Sequence, residues 1–286
     1  MKQLRVMMVG AHPDDCDIRC GGLALKYSRA GHKVKFLAMC NGNGGHHIMS
    51  PDEIAKRRRG ETLAVAKFAG IEYNVWEDSP DCELYADLKT RARLVREIRE
   101  FAPDILFCSR SNDYHADHRN ASILVQDASY LLTVPHYCPD TSAMRQMPTI
   151  MHFYDHFQEP VFKPSILVRI DDVVEDKFRL LALHESQMFE WLPYTKGVLE
   201  EVPKTPEERL EWLHEPRLPK DKRIDKEILE KNLIGTQSEY KEAKVAVLYR
   251  DKLIERYGKE GETIFFAEAF SVCEYGSPYR DELIPF

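Results

Sequence analysis

Residues 4–15, "LRVMMVGAHPDD", decide how the chain folds. Leu4 to Gly10 form a short apolar run of strand length. Such a run, apolar without alternation, suits a strand covered on both faces in a parallel sheet. It ends on His12, Asp14 and Asp15, three polar groups at the mouth of the core. One reading of them is a loop with an Asp cap for the next helix. The other is a metal site, and the rest of the chain must discriminate.

Working outward, strand and helix patterns alternate. "KVKFLAMC" (33–40), "IEYNVW" (71–76) and "DILFCS" (104–109) read as further buried strands. Between them, "CGGLALKYSRAG" (20–31) reads as a helix closed by Gly31. "SPDEIAKRRRGETLAVAKFAG" (50–70) has Ser50 at the N-cap, Pro51 at the first helical position and Gly70 past the end. "DLKTRARLVREIREFAP" is stopped by Pro103, and "HRNASILVQDASYLL" is the fourth helix. The later chain adds strands in "TIMHFYDHF", "SILVRID" and "TIFFAEAF", and helices in "VVEDKFRLLALHESQMF" and "SEYKEAKVAVLYRDKLIERYG". The expected fold is α/β: a Rossmann-like three-layer sandwich on a mostly parallel sheet, plus an irregular C-terminal excursion. Residues 190–236, rich in Pro, Glu and Lys, form the excursion, an insertion or lid within a single domain spanning 1–286.

The length of 286 residues, with 43% hydrophobic and 30% charged residues, suits one large soluble domain. A formal net charge of −7 argues against a nucleic-acid partner and against an anionic membrane surface. No segment reads as a membrane span or a signal peptide, so the expected location is cytoplasmic. Seven scattered cysteines do not make a disulfide framework, and Cys16 and Cys20 read as small core residues. A homo-oligomer is compatible with the sequence, which does not specify one.

In a parallel sheet, chemistry sits in the loops past the strand ends: here 11–15, 41–50, 77–86 and 109–118. Strands one and four are neighbours at the switch point of a Rossmann-type order. His12, Asp14 and Asp15 then face Asp113, His115, Asp117 and His118. Two imidazoles and a carboxylate around an open position suit a catalytic divalent ion. Adjacent aspartates can divide the labour, one on the metal and one on the water, and two histidines three apart can do the same. "NGNGGHH" (41–47) reads as a loop shaping the pocket rim. Trp191, Tyr194 and Trp212 read as a stacking wall or as packing for the excursion. A nucleotide-binding module would need a Gly-rich loop where this chain has "HPDD", and carboxylates there repel phosphate. A metal-binding protein without turnover would need neither Asp14 nor His115.

"AHPDD" with "GG" at 21–22, followed by "HADHRN" at 115–120, resembles the PIG-L / LmbE-like family of zinc-dependent N-acetylglucosaminyl (GlcNAc) deacetylases. "RRGETLAVAKFAGI", "PDIL", "ALHESQ" (182–187) and "AEAF" (267–270) match in order. The resemblance implies a hydrolase that removes an N-acetyl group from an N-acetylglucosamine-type sugar or glycoconjugate, by attack of a metal-bound water. It implies that His12, Asp15 and His118 bind the metal and that Asp14 is the general base. It further implies a protonated His115 stabilising the oxyanion, held in place by Asp117, and sugar contacts from Arg58 and Asp81. Zn2+ is the expected ion, with Fe2+, Co2+ or Mn2+ suited to the same donors. The alternative is the same chemistry on a non-sugar N-acyl substrate. Three positions depart from the family's pattern: Cys16 where many relatives have Glu, Ala116 where Pro is usual, and Asp113 where some branches have tyrosine.

Overall fold

The apolar runs become strands whose residues divide between two faces. In β1 (Arg5–Gly10), Val6 and Met8 enter one buried cluster while Met7 and Val9 enter another. β2 (Lys33–Ala38) and β4 (Ile105–Cys108) split in the same way. A strand buried on both sides cannot alternate apolar with polar, which is why these runs look continuous in sequence. β3 (Glu72–Val75), β5 (Thr149–Phe153), β6 (Ile166–Arg169) and β7 (Ala267–Val272) complete the sheet. The computed structural model describes residues 2–213 and 238–286. Within them the sheet order is β3-β2-β1-β4-β5-β7-β6. Only β7 runs antiparallel to its neighbours, so the sheet is mostly parallel as expected. Met8 pairs with both Phe36 and Phe107, which fixes β1 between β2 and β4.

Helices cover both faces. α1 (Asp15–Arg29), α2 (Pro51–Ala69) and, after α3 (Leu88–Phe101) and α4 (Ala116–Leu131), α5 (Val174–Ala182) are placed in chain order. α1, α2 and α5 pack over Val6, Phe36 and Phe107, and α3 and α4 over Met7, Leu37 and Leu106. α6 (Leu192–Thr195), α7 (Pro206–Leu213), α8 (Ser238–Leu248) and α9 (Arg250–Tyr257) follow. The caps of α2 are as read: the Ser50 amide and hydroxyl donate to Glu53 Oε2, and Gly70 is left-handed with φ 66. All seven cysteines are free thiols. No described helix is long and apolar enough to cross a membrane. The expected excursion shows short helices up to Leu213, and its residues 214–236 lie outside the described residues.

Three helix boundaries differ from expectation, two of them for a polar reason. α1 starts at Asp15 rather than Cys20, and bends at Cys20 with φ −149 and ψ 22. The bend frees amides, and Glu268 takes them: Gly22 N and Leu23 N each donate to its carboxylate at 2.9 Å. A Cβ on Gly22 would stand 2.9 Å from Glu268 Oε1, so the second glycine of the pair is sterically required. Lys177 Nζ, fully buried, bonds to Glu268 and Glu242 at 2.7 Å. The helix expected over 173–189 stops at Ala182 and resumes as a π-helical turn, Ser186–Trp191. There the Ser186 amide and hydroxyl donate to Glu61 at 2.8 and 2.7 Å. The helix expected over 238–258 breaks at Tyr249, where φ is −120.

His184, in the link between α5 and the π-turn, pairs its Nε2 with Asp17 Oδ1 at 3.1 Å, both side chains fully buried. Burial disfavours the charged imidazole, but the Asp17 charge outweighs it and the net shift is upward from 6.5. The pair's contribution is therefore complete below 6.5 and is lost as pH rises through the raised folded value. His184→Gln should cost on the order of 3 kcal/mol at about pH 6 and clearly less at about pH 9, read by urea unfolding at both pH values. Equal losses at the two would show that His184 carries no charge in the fold.

Candidate metal centre and active site

The loop leaving β1 turns back on itself. Asp15 Oδ2 accepts from the amides of Ala11 at 2.9 Å and His12 at 2.8 Å, residues that precede it. Asp14, at the N-cap position of α1, makes no side-chain cap bond. The Asp-cap reading of this stretch therefore does not hold. The turn is tight: a Cβ on Gly10 would lie 2.6 Å from Asp15 Cβ. With Oδ2 so anchored, Asp15 Oδ1 lies 3.2 Å from His118 Nε2, the ring supplied by the first turn of α4 beyond β4.

His12 Nδ1 is 3.2 Å from His118 Nε2 and 3.7 Å from Asp15 Oδ2. Donors about 2.0–2.1 Å from a tetrahedral ion stand roughly 3.3 Å apart. The donor set His12, Asp15 and His118 therefore fits a zinc-like divalent cation, and one ligand atom from each lies within 4.8 Å of the others. Each imidazole is also braced on its far nitrogen by a carboxylate. His118 Nδ1 meets Asp113 Oδ1 at 3.0 Å, and His12 Nε2 meets Asp117 Oδ2 at 2.9 Å. Such bracing fixes ring orientation and raises ligand basicity. Burial opposes charge on both rings, but the carboxylates outweigh it: His12 is raised and His118 is pushed up to about 10. Burial likewise opposes the Asp15 carboxylate, yet His118 holds it well below the usual range. The protons so favoured are what an arriving cation would displace.

Asp117 stands differently from the expectation that it orients His115. Its carboxylate is fully buried, takes the Cys82 amide at 2.7 Å and the Leu84 amide at 3.3 Å, and is 3.8 Å from His115 Nδ1. His115 Nδ1 instead accepts from the Asp117 amide at 3.1 Å and caps α4. The ring proton is thereby left to Nε2. Burial and the neighbouring His12 and His118 lower the His115 pKa, which favours its neutral form rather than the protonated one expected.

Asp14 and Arg58 meet at 2.9 Å. Arg58 is buried, donates to Pro13 O at 3.0 Å, and has Asp81 Oδ2 at 3.9 Å. Asp81 accepts from the amides of Gly42 at 2.8 Å and Gly44 at 3.1 Å. Gly42 has φ +81, and a Cβ there would lie 2.5 Å from Arg58 Cδ. His12, Asp14, Asp15, Arg58, Asp81, His115 and His118 line one pocket of about 270 Å³, walled also by Arg19, Tyr114, Gln187 and Trp191. A larger groove of about 590 Å³ lies against α9 and the C-terminal residues. It holds no imidazole or thiol, so donor chemistry rather than volume selects the site.

The rim is latched from outside. His46 Nε2 bonds to Glu190 at 2.8 Å, Arg57 grips the same carboxylate twice at 2.7 Å, and Gln187 donates to Gly45 O at 3.0 Å. His47 stacks on Tyr194 at 4.0 Å between centroids. The loop 41–50 thus shapes the rim as read, with Trp191 on the pocket wall and Trp212 packed toward Phe189. Cys16 is buried in the core cluster beneath α1, not on the pocket wall. The sequence reading missed the bracing role of Asp113 and passed over Arg19. The signal for Arg19 was available: a helix starting at Asp15 puts position 19 one turn on, on the same face.

A mostly parallel sheet with a His/Asp/His cluster at its switch point defines a class of α/β protein equipped to hold a metal. More particularly, residues 7–129 match the PIG-L family, GlcNAc-PI de-N-acetylase. The likeness to the PIG-L / LmbE-like deacetylases read from the two motifs stands. Diacetylchitobiose deacetylase of Thermococcus kodakarensis is 29% identical over 208 residues, covering 68% of this chain and 76% of that protein. The structure of N,N'-diacetylchitobiose deacetylase from Pyrococcus horikoshii superposes with a TM-score of 0.66 at 23% identity, covering 94% of this chain and 84% of that one. GalB of Pseudomonas putida KT2440, a 4-carboxy-2-hydroxymuconate hydratase, superposes with a TM-score of 0.68 at 19% identity over 98% and 99% of the two chains. At these identities the structural likenesses establish the fold.

The bracing of His118 yields a test. Asp113→Ala should weaken divalent-ion affinity about 10–100-fold in competition with a chromogenic chelator, with the fold intact by circular dichroism.

Proposed function

We propose that this chain is a metal-dependent N-deacetylase acting on an N-acetylglucosamine-type sugar or glycoconjugate. The observation that carries the reading is the convergence of His12, Asp15 and His118 beside Asp14 at one pocket wall. His12, Asp15 and His118 would hold the ion, Zn2+ by donor type, with Fe2+, Co2+ or Mn2+ suited to the same set. When bound, the ion supplies Lewis-acid activation of the attacking water and polarisation of the acyl carbonyl.

The remaining steps belong to the chain's own residues. Asp14, positioned by the Arg58 guanidinium at 2.9 Å, takes a proton from the attacking water and passes it to the nitrogen as the C–N bond breaks, releasing acetate and the free amine. His115 presents Nε2–H, since its Nδ1 accepts from the backbone, and donates to the developing oxyanion. Asp117 and Asp113 hold the two ligand imidazoles. Arg58 and Asp81 shape the sugar side of the pocket together with Gly44 and Trp191. The PIG-L match and the diacetylchitobiose deacetylase relative support acetylated amino sugars as the substrate class. A non-sugar N-acyl substrate is the second reading, and Arg19 on the wall suits an acidic compound of either kind.

Acetate release from N-acetylglucosamine and diacetylchitobiose tests the proposal. Chelation should abolish release and added Zn2+ should restore it. Asp14→Ala should retain the metal while losing about 10²–10⁴-fold in kcat. Wild-type rates in that variant would remove Asp14 from the base role.

A further inference from the structure

We infer that Arg19 forms an anion subsite, so that the substrate carries a carboxylate or phosphate several bonds from the acyl carbonyl. The inference rests on the reading of the pocket as an N-acyl hydrolase site and names the kind of acyl compound it takes.

Each acidic group around the pocket has close partners. Asp14 has Arg58 at 2.9 Å, Asp15 has His118 at 3.2 Å and two backbone amides, and Asp117 has His12 at 2.9 Å and the Cys82 amide. Asp81 is held by the amides of Gly42 and Gly44. Asp113 spends Oδ1 on His118 Nδ1 at 3.0 Å and on the His115 amide at 2.9 Å. Arg19 has less. Among the described residues, its guanidinium makes one hydrogen bond, from Nη1 to Tyr154 O at 2.9 Å. The one carboxylate of the described residues within 4.0 Å of it is Asp113, with Oδ2 at 3.9 Å from Nη2.

The side chain is 13% exposed and lines the pocket. A guanidinium offers five N–H groups in a planar fork that matches carboxylate and phosphate oxygens. Its place is fixed by α1. Position 19 lies four residues beyond Asp15, one helical turn along the same face, so the fork stands roughly 5–6 Å along the helix from the ligand carboxylate. A neutral acetylated sugar would add no charged oxygen for the N–H groups that Tyr154 O leaves unused, whereas an acidic one supplies it. Burial of Arg58 against Asp14 and Asp81 excludes that guanidinium as the same subsite.

The test compares acidic with neutral members of matched pairs: 2-acetamido-2-deoxyglucuronate and N-acetylglucosamine 6-phosphate against N-acetylglucosamine, and N-acetylglutamate against N-acetylglutamine. In the zinc-loaded enzyme, kcat/KM should favour the acidic member of at least one pair by about tenfold or more. Arg19→Gln should bring that ratio near one, and Arg19→Lys should keep part of it. The sugar acid, phosphate and amino-acid arms distinguish the anion and scaffold. Calorimetric binding of the deacylated pair, 2-amino-2-deoxyglucuronate against glucosamine, reads the subsite without turnover. Ratios near one in the wild type, or a preference that survives in a folded Arg19→Gln protein, would overturn the inference. Absence of hydrolysis across all pairs would overturn the deacetylase reading instead, leaving the calorimetric ratio to decide on Arg19.

Discussion

The backward grip of Asp15 on the amides of Ala11 and His12 is the constraint from which the pocket follows. One carboxylate oxygen is spent closing the turn after β1. The other is thereby aimed across the switch point at His118. A carboxylate used as an ordinary helix cap would point along α1 and leave the histidines without their third partner. Because Asp15 is also the first residue of α1, the same turn sets where Ile18 and Arg19 emerge. Geometry of the donors and identity of the pocket wall are thus consequences of one bond pattern.

Around that turn, the site is an arrangement of buried charges that must be neutralised locally. Carboxylates outnumber cations, and the structure answers with alternating pairs: Arg58–Asp14, His118–Asp15, Asp113–His118 and Asp117–His12. A divalent cation placed among them replaces protons rather than adding net strain. The outer latch of His46, Arg57 and Glu190 does a different job, fixing the rim loop to the π-turn so that Gly44 and Gly45 keep their place in the wall.

Much of this was legible in the sequence. The two-faced apolar runs gave the parallel sheet, and His12 and His118 could be placed opposite each other because β1 and β4 are neighbours. The family pattern covered the donor set. What was hidden depended on side chains acting at a distance. Nothing local in 115–118 says that Asp117 leans toward His12 rather than His115, since burial against the Cys82 and Leu84 amides decides it. Arg58 was expected at the pocket, but its hold on Pro13 O, 45 residues away in sequence, and its pairing with Asp14 were not visible. The bend in α1 and the break after Ala182 were likewise invisible, because Glu268 and Glu61 set them from other elements.

The hold of Glu268 on Gly22 and Leu23 has a consequence for how the site comes into being. All three donor residues are present by His118, yet the helix that begins with Asp15 is pinned at its bend by a residue 246 positions beyond Gly22. A nascent chain that has just released His118 from the ribosome owns the donors without the brace. β7, set between β5 and β6, is the last strand in the chain, so the brace on α1 is made after the donors.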